Sequence, residues 1–180
     1  MKVTRIDHVA IAVEDIDEAL TFYRDALGLE VTTTDIEEGQ GVVVAFMPVG
    51  DSELELIEPV DKGSGVARFL DKRGPGQHHI CLEVDDLDAA MARLRAHDVE
   101  LIDDEPYVGT GGRRIAFVHP RSSYGVLIEL YETLPGDHLR RRLEDVGELR
   151  RRLLVRGRVA AAGTRGFLGG LRGRGDEEPE

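Results

Sequence analysis

Two segments of the chain, "IDHVAIAVED" (residues 6–15) and "HHICLEVDD" (residues 78–86), each carry a histidine near the start and an acidic pair at the end. Two later segments, "SELELIEPV" and "GVLIELYE", each carry a glutamate within an alternating apolar pattern. Two imidazoles and two carboxylates form a ligand set that suits a divalent first-row metal ion. The sequence therefore predicts a metal site if the fold brings the four segments together.

An internal repeat explains why these segments match. An offset of 71 residues, the difference between His8 and His79, aligns "HVAIAVEDIDEALTFYR" with "HICLEVDDLDAAMARLR". Each copy reads as an alternating strand followed by a helix, with Asp15 and Asp86 as N-caps. Strand-like segments follow in both halves ("LEVTTT", "GVVVAFMPV" and "SELELIEPV"; then "VELIDD", "RRIAFVHP" and "GVLIELYE"). The repeat predicts an α+β fold of two βαβββ modules.

The strand period assigns faces to the repeated strand. In the first copy, His8 shares a face with Ala10, and the branched residues alternate with them, so we expect the branched face to pack on the helix. The small residues and the histidine should line a cavity. By the same register His79 points into the cavity and His78 points away. Taken singly, such histidines are more often structural than ligating.

Composition limits the classes of partner. The chain of 180 residues has a formal net charge of −12, which argues against nucleic acid as a partner. No apolar segment is long enough to span a membrane, and no export signal is evident. The single cysteine fits a reducing interior. We expect a cytoplasmic protein.

The chain divides into a body and a basic tail. We expect one domain over residues 1–133, with modules at about 3–60 and 76–132. In the tail, residues 134–180, leucines at helical spacing predict a helix over about 137–155. The Gly- and Arg-rich remainder has little to bury, so we expect it to be disordered.

Residues 3–132 resemble the vicinal oxygen chelate superfamily (glyoxalase, bleomycin resistance and dioxygenase proteins). Within it, "GQHHICLEVDDLDAAM", "DDEPYVGTGGRRIAFVHP" and "GVLIELYE" are most similar to the methylmalonyl-CoA epimerase family. The resemblance implies paired βαβββ modules that form a cup around a divalent cation (Co²⁺, Mn²⁺, Zn²⁺ or Ni²⁺). It implies His8, Glu55, His79 and Glu129 as the ligands.

The resemblance also implies a reaction. A member of this family would interconvert (2R)- and (2S)-methylmalonyl-CoA by metal-assisted abstraction of the proton alpha to the thioester, through an enolate. It would bind an acyl-CoA and form a homodimer, with Glu129 as the catalytic base. Some members carry a second active-site glutamate where this chain has Val44, so the second acid or base is left open among Glu55, Glu53 and a water molecule.

Three alternatives share much of this pattern. A glyoxalase I-type lactoylglutathione lyase uses a nearly identical ligand set. An extradiol dioxygenase would use two histidines and one carboxylate, and a non-enzymatic small-molecule-binding member usually lacks the ligands.

An anionic acyl-CoA needs positive charge at the mouth of the cup, for which the candidates are Lys72, Arg73, Arg113, Arg114 and Arg121.

Overall fold

The computed structural model describes residues 1–109 and 113–132. The first half comprises β1 (Val3–Ala12), α1 (Ile16–Leu20), a π-helical segment (Thr21–Ala26), β2 (Thr33–Glu37), β3 (Val42–Val49) and β4 (Ser52–Pro59). Helix α2 (Gly65–Arg73) leads into the second half. That half comprises β5 (Gly76–Val84), α3 (Leu87–Ala96), β6 (Tyr107–Val108), β7 (Arg114–Val118), a 3₁₀ turn (Pro120–Ser122) and β8 (Leu127–Glu132). The predicted α+β fold of two βαβββ modules is confirmed.

All eight strands form one sheet in the order β2-β3-β4-β1-β5-β8-β7-β6. The two halves meet where β1 pairs antiparallel with β5. Val9 lies opposite Ile80, and these residues are themselves 71 apart, which is the repeat offset. This pair therefore lies on a pseudo-twofold axis. Outward from the axis, β1 pairs parallel with β4 and β5 pairs parallel with β8.

The branched face of each repeated strand packs on its helix, as the strand period predicts. Val13 is buried with Ile16 of α1, and Val84 is buried with Leu87 of α3. Both predicted N-caps form, because the carboxylates of Asp15 and Asp86 accept hydrogen bonds from backbone N–H groups three residues later, at 2.9 and 2.8 Å.

A glutamate at the end of each parallel partner strand fixes the start of the helix. The backbone N–H of Ile16 donates to Glu58 at 2.8 Å, and that of Leu87 donates to Glu132 at 3.1 Å. Each carboxylate satisfies a donor that the first helical turn leaves without a partner. The last strand of each module is thereby tied to its helix.

Helix α2 is an element that the sequence analysis did not assign. Ser64 caps it by accepting from the N–H of Ala67 at 3.0 Å. Val66 is buried with Ala10 in the inner cluster of the first half, and Phe69 packs against that cluster. The small face of β1 is therefore covered by α2 near the centre of the sheet.

Three expectations differ from the structure or fall outside it. The segment "VELIDD" forms a single bridge between Leu101 and Val118 instead of a strand. Strand β2 begins at Thr33, whereas the sequence predicted a strand from the first residue of "LEVTTT", Leu29. The tail and its predicted helix over about 137–155 lie outside the described residues. Within residues 1–109 and 113–132, no helix is long and apolar enough to cross a membrane.

We predict that Leu87→Ala destabilises the fold by about 2–5 kcal/mol, because Leu87 is fully buried and its removal leaves a cavity in the second-half core. Denaturant unfolding measures the change. Leu27→Ala is the matched control, since Leu27 is 55% exposed and its loss should change stability by less than about 0.5 kcal/mol. Equal losses would contradict the assigned core.

Candidate metal centre

Two rows of paired residues cross the sheet beside the pseudo-twofold axis, on the face opposite the branched side chains. Each row contains one imidazole, one small residue and one carboxylate. The rows are Glu55–Ala10–His79 and His8–Cys81–Glu129. The small central residues leave space above the sheet, so the longer side chains converge over it.

The four polar side chains of these rows meet. The Nε2 atoms of His8 and His79 lie 3.1 Å apart. Glu55 Oε2 lies 3.3 Å from His8 Nε2 and 3.7 Å from His79 Nε2. Glu129 Oε2 lies 2.9 Å from His79 Nε2 and 3.8 Å from His8 Nε2. All four residues are buried, and the structure thus brings together the whole set that the sequence predicts as ligands.

These separations fit a bound divalent cation. Ligand atoms at about 2.1 Å from a metal ion are about 3.0 Å apart at right angles and about 3.4 Å apart at tetrahedral angles. The five donor separations, 2.9 to 3.8 Å, span these values. Nitrogen and carboxylate oxygen suit Zn²⁺, Co²⁺, Ni²⁺ or Mn²⁺. The residues present can therefore hold such an ion.

The cluster is electrostatically arranged for a positive charge. Burial lowers the pKa of His8, but the hydrogen bond that its ring donates to Asp7 and the charges of Glu55 and Glu129 outweigh burial and raise this pKa to about 9. Burial raises the pKa of Glu55, although the nearby histidines oppose the shift. Either a proton on His8 or a bound cation would compensate the negative charge of the buried carboxylates.

The other ring nitrogen of His8 is held by Asp7. His8 Nδ1 donates to Asp7 Oδ2 at 3.1 Å, which directs Nε2 toward the cluster. Arg5 forms a salt bridge with Asp7, and its Nε donates to the fully buried Glu83 at 2.9 Å. The chain Glu83–Arg5–Asp7 therefore fixes the orientation of His8.

His78 does not point away from the cavity, because it lines the cleft, and that prediction was wrong. Along β1 and β5, Ala10 pairs with His79 and Ile11 pairs with Gln77, so His78 is an extra residue in a β-bulge. His78 Nδ1 lies 2.9 Å from His79 Nδ1. Burial, and then the neighbouring His79, lower the pKa of His78 to about 4. The strand period assumed a regular strand, which the bulge interrupts.

A second group of possible donor atoms, from Asp7, His8 and Cys81, overlaps the first. Burial, and then the charge of Glu129, raise the pKa of the Cys81 thiol well above its ordinary value. In its row Cys81 lies between His8 and Glu129, whose longer side chains converge above it. Cys81 is better explained as the small residue that leaves room between His8 and Glu129.

A cleft of about 990 Å³ lies beside the cluster. Three residues that adjoin the cluster line the cleft: His78, Phe117 and Leu127. Leu127 pairs with His79, and Phe117 pairs with Glu129. The volume is in the usual range for a small-molecule site.

Helix α2 supplies the positive charge of the cleft through Arg68, Lys72 and Arg73. Lys72 and Arg73 were predicted, whereas Arg68 was missed because α2 was missed. Among the other predicted cations, Arg114 is bound to Asp88 and Glu132 at 2.7 and 3.1 Å. The remaining two are also engaged: Arg113 lies over the ring of Tyr131 and Arg121 lies 3.8 Å from Glu100.

Val44 is buried in the inner cluster of the first half, paired with Ile57. An apolar side chain can neither donate nor accept a proton. Val44 therefore cannot serve as an acid or a base.

Comparison with known proteins identifies the fold family. Residues 7–117 match the family model of the Glyoxalase/Bleomycin resistance protein/Dioxygenase superfamily. The chain is 41% identical to an ethylmalonyl-CoA/methylmalonyl-CoA epimerase of Cereibacter sphaeroides, over 70% of this chain and 96% of the relative.

Two solved structures agree. The methylmalonyl-CoA epimerase of Mycobacterium tuberculosis is 43% identical, with a TM-score of 0.69, over 74% of this chain and 90% of that one. The chain belongs to this superfamily and, within it, to the methylmalonyl-CoA epimerase family. A variant of the Streptomyces coelicolor epimerase, solved with 2-nitronate-propionyl-CoA, is 41% identical with a TM-score of 0.69, over 74% of this chain and all of that one.

We predict that Asp7→Asn weakens divalent-metal affinity by about 10–100-fold, because a neutral amide holds His8 Nδ1 less firmly than a carboxylate does. Titration of the metal-free protein with Zn²⁺ measures the affinity. Asp25→Asn is the matched control, since Asp25 is half exposed and pairs with Arg24 at 2.7 Å. An unchanged affinity in Asp7→Asn would show that Asp7 does not orient the ligand.

Proposed function

We propose that the protein is a metal-dependent epimerase that interconverts (2R)- and (2S)-methylmalonyl-CoA. One observation carries the proposal: two imidazoles and two carboxylates converge to 2.9–3.8 Å beside a cleft that helix α2 lines with three cations, in a chain of the epimerase family. We assign the activity to residues 1–133, because the family model matches residues 7–117 and the relatives align with 70–74% of the chain.

The metal ion would be held by His8 and His79 through Nε2 and by Glu55 and Glu129 through carboxylate oxygens. When bound, it supplies Lewis acidity that stabilises negative charge developing on the substrate's oxygens. Asp7 and the chain of charges behind it keep His8 in place for this role. The family relationship and the donor geometry both support this assignment.

Glu129 is the proposed base for the proton alpha to the thioester. Its Oε2 lies 2.9 Å from His79 Nε2, and it sits on β8 beside Phe117, a residue that lines the cleft. A substrate in the cleft therefore approaches Glu129 from the Phe117 side. The carboxylate takes the proton and leaves an enolate, which must then be protonated on the opposite face.

Glu55 is the proposed partner that takes up a proton from solvent and delivers it to the opposite face of the enolate. It lies on the other side of the pseudo-twofold axis from Glu129, as an inverting proton transfer requires. Val44, where relatives can carry a glutamate, leaves this role to Glu55.

The acyl-CoA would lie along the cleft with its phosphates toward Arg68, Lys72 and Arg73 of α2. The chain carries a net charge of −12, so this local group of cations offsets the repulsion that the whole protein exerts on an anionic substrate. We expect the protein to form a homodimer.

A glyoxalase I-type lyase is the alternative function, because the four metal ligands by themselves do not distinguish it from an epimerase. The experiment uses methylmalonyl-CoA and a glutathione hemithioacetal as parallel substrates. We predict that the metal-loaded protein incorporates deuterium from D₂O at the α-carbon of methylmalonyl-CoA and does not turn over the hemithioacetal. Chelation should abolish the exchange, and Co²⁺ or Mn²⁺ should restore it. Nuclear magnetic resonance of the α-position is the measurement, with a protein-free sample as the blank.

Full exchange by a protein shown to be metal-free would refute the metal dependence. Turnover of the hemithioacetal without exchange of methylmalonyl-CoA would assign the site to the lyase instead.

We predict that Glu129→Gln slows epimerisation by about 10²–10⁴-fold, because the amide keeps the size and an oxygen but cannot accept the proton. Metal affinity should fall by less. Steady-state rates and Zn²⁺ titration on one preparation separate the two effects. Glu100→Gln is the control, an exposed glutamate near His119. Exchange at the parent rate in Glu129→Gln would exclude it as a base.

A further inference from the structure

Asp7 and His78 occupy the same place in the two copies of the repeat. They are 71 residues apart, and each directly precedes a histidine of the cluster. Ile6 pairs with Leu82 and His8 pairs with Cys81, so Asp7 is the extra residue of a bulge in β1. His78 is the extra residue of the corresponding bulge in β5. The two bulges are related by the pseudo-twofold axis.

Each bulge turns the extra side chain toward the next residue's ring. A bulge breaks the strict alternation of faces and can redirect a side chain. Asp7 Oδ2 lies 3.1 Å from His8 Nδ1, and His78 Nδ1 lies 2.9 Å from His79 Nδ1. Both histidines of the cluster are therefore held at Nδ1 by the residue before them, one by a carboxylate and the other by an imidazole.

The contact between the two imidazoles requires one proton between them. A neutral imidazole carries a proton on one ring nitrogen and a lone pair on the other. If His79 presents a lone pair at Nε2, its proton is on Nδ1, and His78 Nδ1 must be the acceptor. In the reverse arrangement His79 carries the proton at Nε2, where it can donate to Glu129 Oε2 at 2.9 Å but cannot bind a cation.

We propose that His78 is a positioning residue that accepts a hydrogen bond from His79 Nδ1–H and so directs the Nε2 lone pair of His79 at the metal ion. The inference rests on the metal ion of the proposed function. Partners of this kind, which orient a ligating histidine, ordinarily change metal affinity when they are removed.

The surroundings of His78 explain why an imidazole is suited to this place. Its ring packs edge-to-face on Phe69 of α2, with centroids 5.0 Å apart, which limits rotation. His78 also lines the cleft, as Arg73 does. An aspartate here would set a negative charge against an anionic substrate, whereas a neutral imidazole fixes the tautomer of His79 without adding charge.

The test compares His78→Phe with His78→Asn. Phenylalanine keeps an aromatic ring against Phe69 but cannot accept a hydrogen bond, and asparagine offers an amide oxygen near the position of Nδ1. We expect His78→Phe to weaken Zn²⁺ affinity by about 10–100-fold and His78→Asn to keep most of it. His97→Phe, at the end of α3, is the matched control. Denaturation of each variant without metal checks that the fold is intact.

A second measurement does not depend on any variant. In the Zn²⁺-loaded parent, ¹⁵N shifts should show His79 protonated at Nδ1 and His78 unprotonated at Nδ1. Parental Zn²⁺ affinity in a folded His78→Phe, or a Zn²⁺-loaded parent with the proton on His78 Nδ1, would overturn the inference and leave the metal site standing. A parent that binds no metal would overturn the proposed function, and this inference with it.

Discussion

The antiparallel pairing of β1 with β5 is the constraint on which the site depends. Because Val9 faces Ile80 across the axis, His8 and His79 become diagonal neighbours on one face of the sheet. The parallel strands β4 and β8 then add one carboxylate on each side. Since side chains alternate with a period of two, a slip of one residue in this pairing would place the histidine and glutamate of one half on the opposite face from those of the other half.

Burial makes the cluster costly unless positive charge compensates it. The carboxylates of Glu55 and Glu129 lie within 4 Å of ring nitrogens and are almost fully shielded from water. A buried charge without a partner is expensive, which is why the pKa of His8 rises despite its burial. The same excess of buried negative charge favours a cation in the site, so the burial of these carboxylates would promote metal binding.

The sequence predicted the repeated features and missed those that break the repeat. The alternating strands and the caps at Asp15 and Asp86 follow local rules, and the offset of 71 placed the equivalent histidines in register. Helix α2 lies between the modules and has no counterpart in the repeat, although Ser64 and the apolar spacing that follows it are typical of a helix start. The bulge at His78 depends on pairing with β1, which a single strand's pattern does not contain.

The symmetry of the scaffold suits the proposed chemistry, and its departures from symmetry suit the substrate. Inversion at a carbon needs proton-transfer groups on two faces, and a twofold arrangement supplies Glu55 and Glu129 from opposite sides. Asp7 and His78, which contact the Nδ1 atoms of His8 and His79, differ in charge. Of these two residues, His78 is the one that lines the cleft. A carboxylate is tolerated at Asp7, where Arg5 neutralises it, while His78 faces the space that an anionic substrate would occupy.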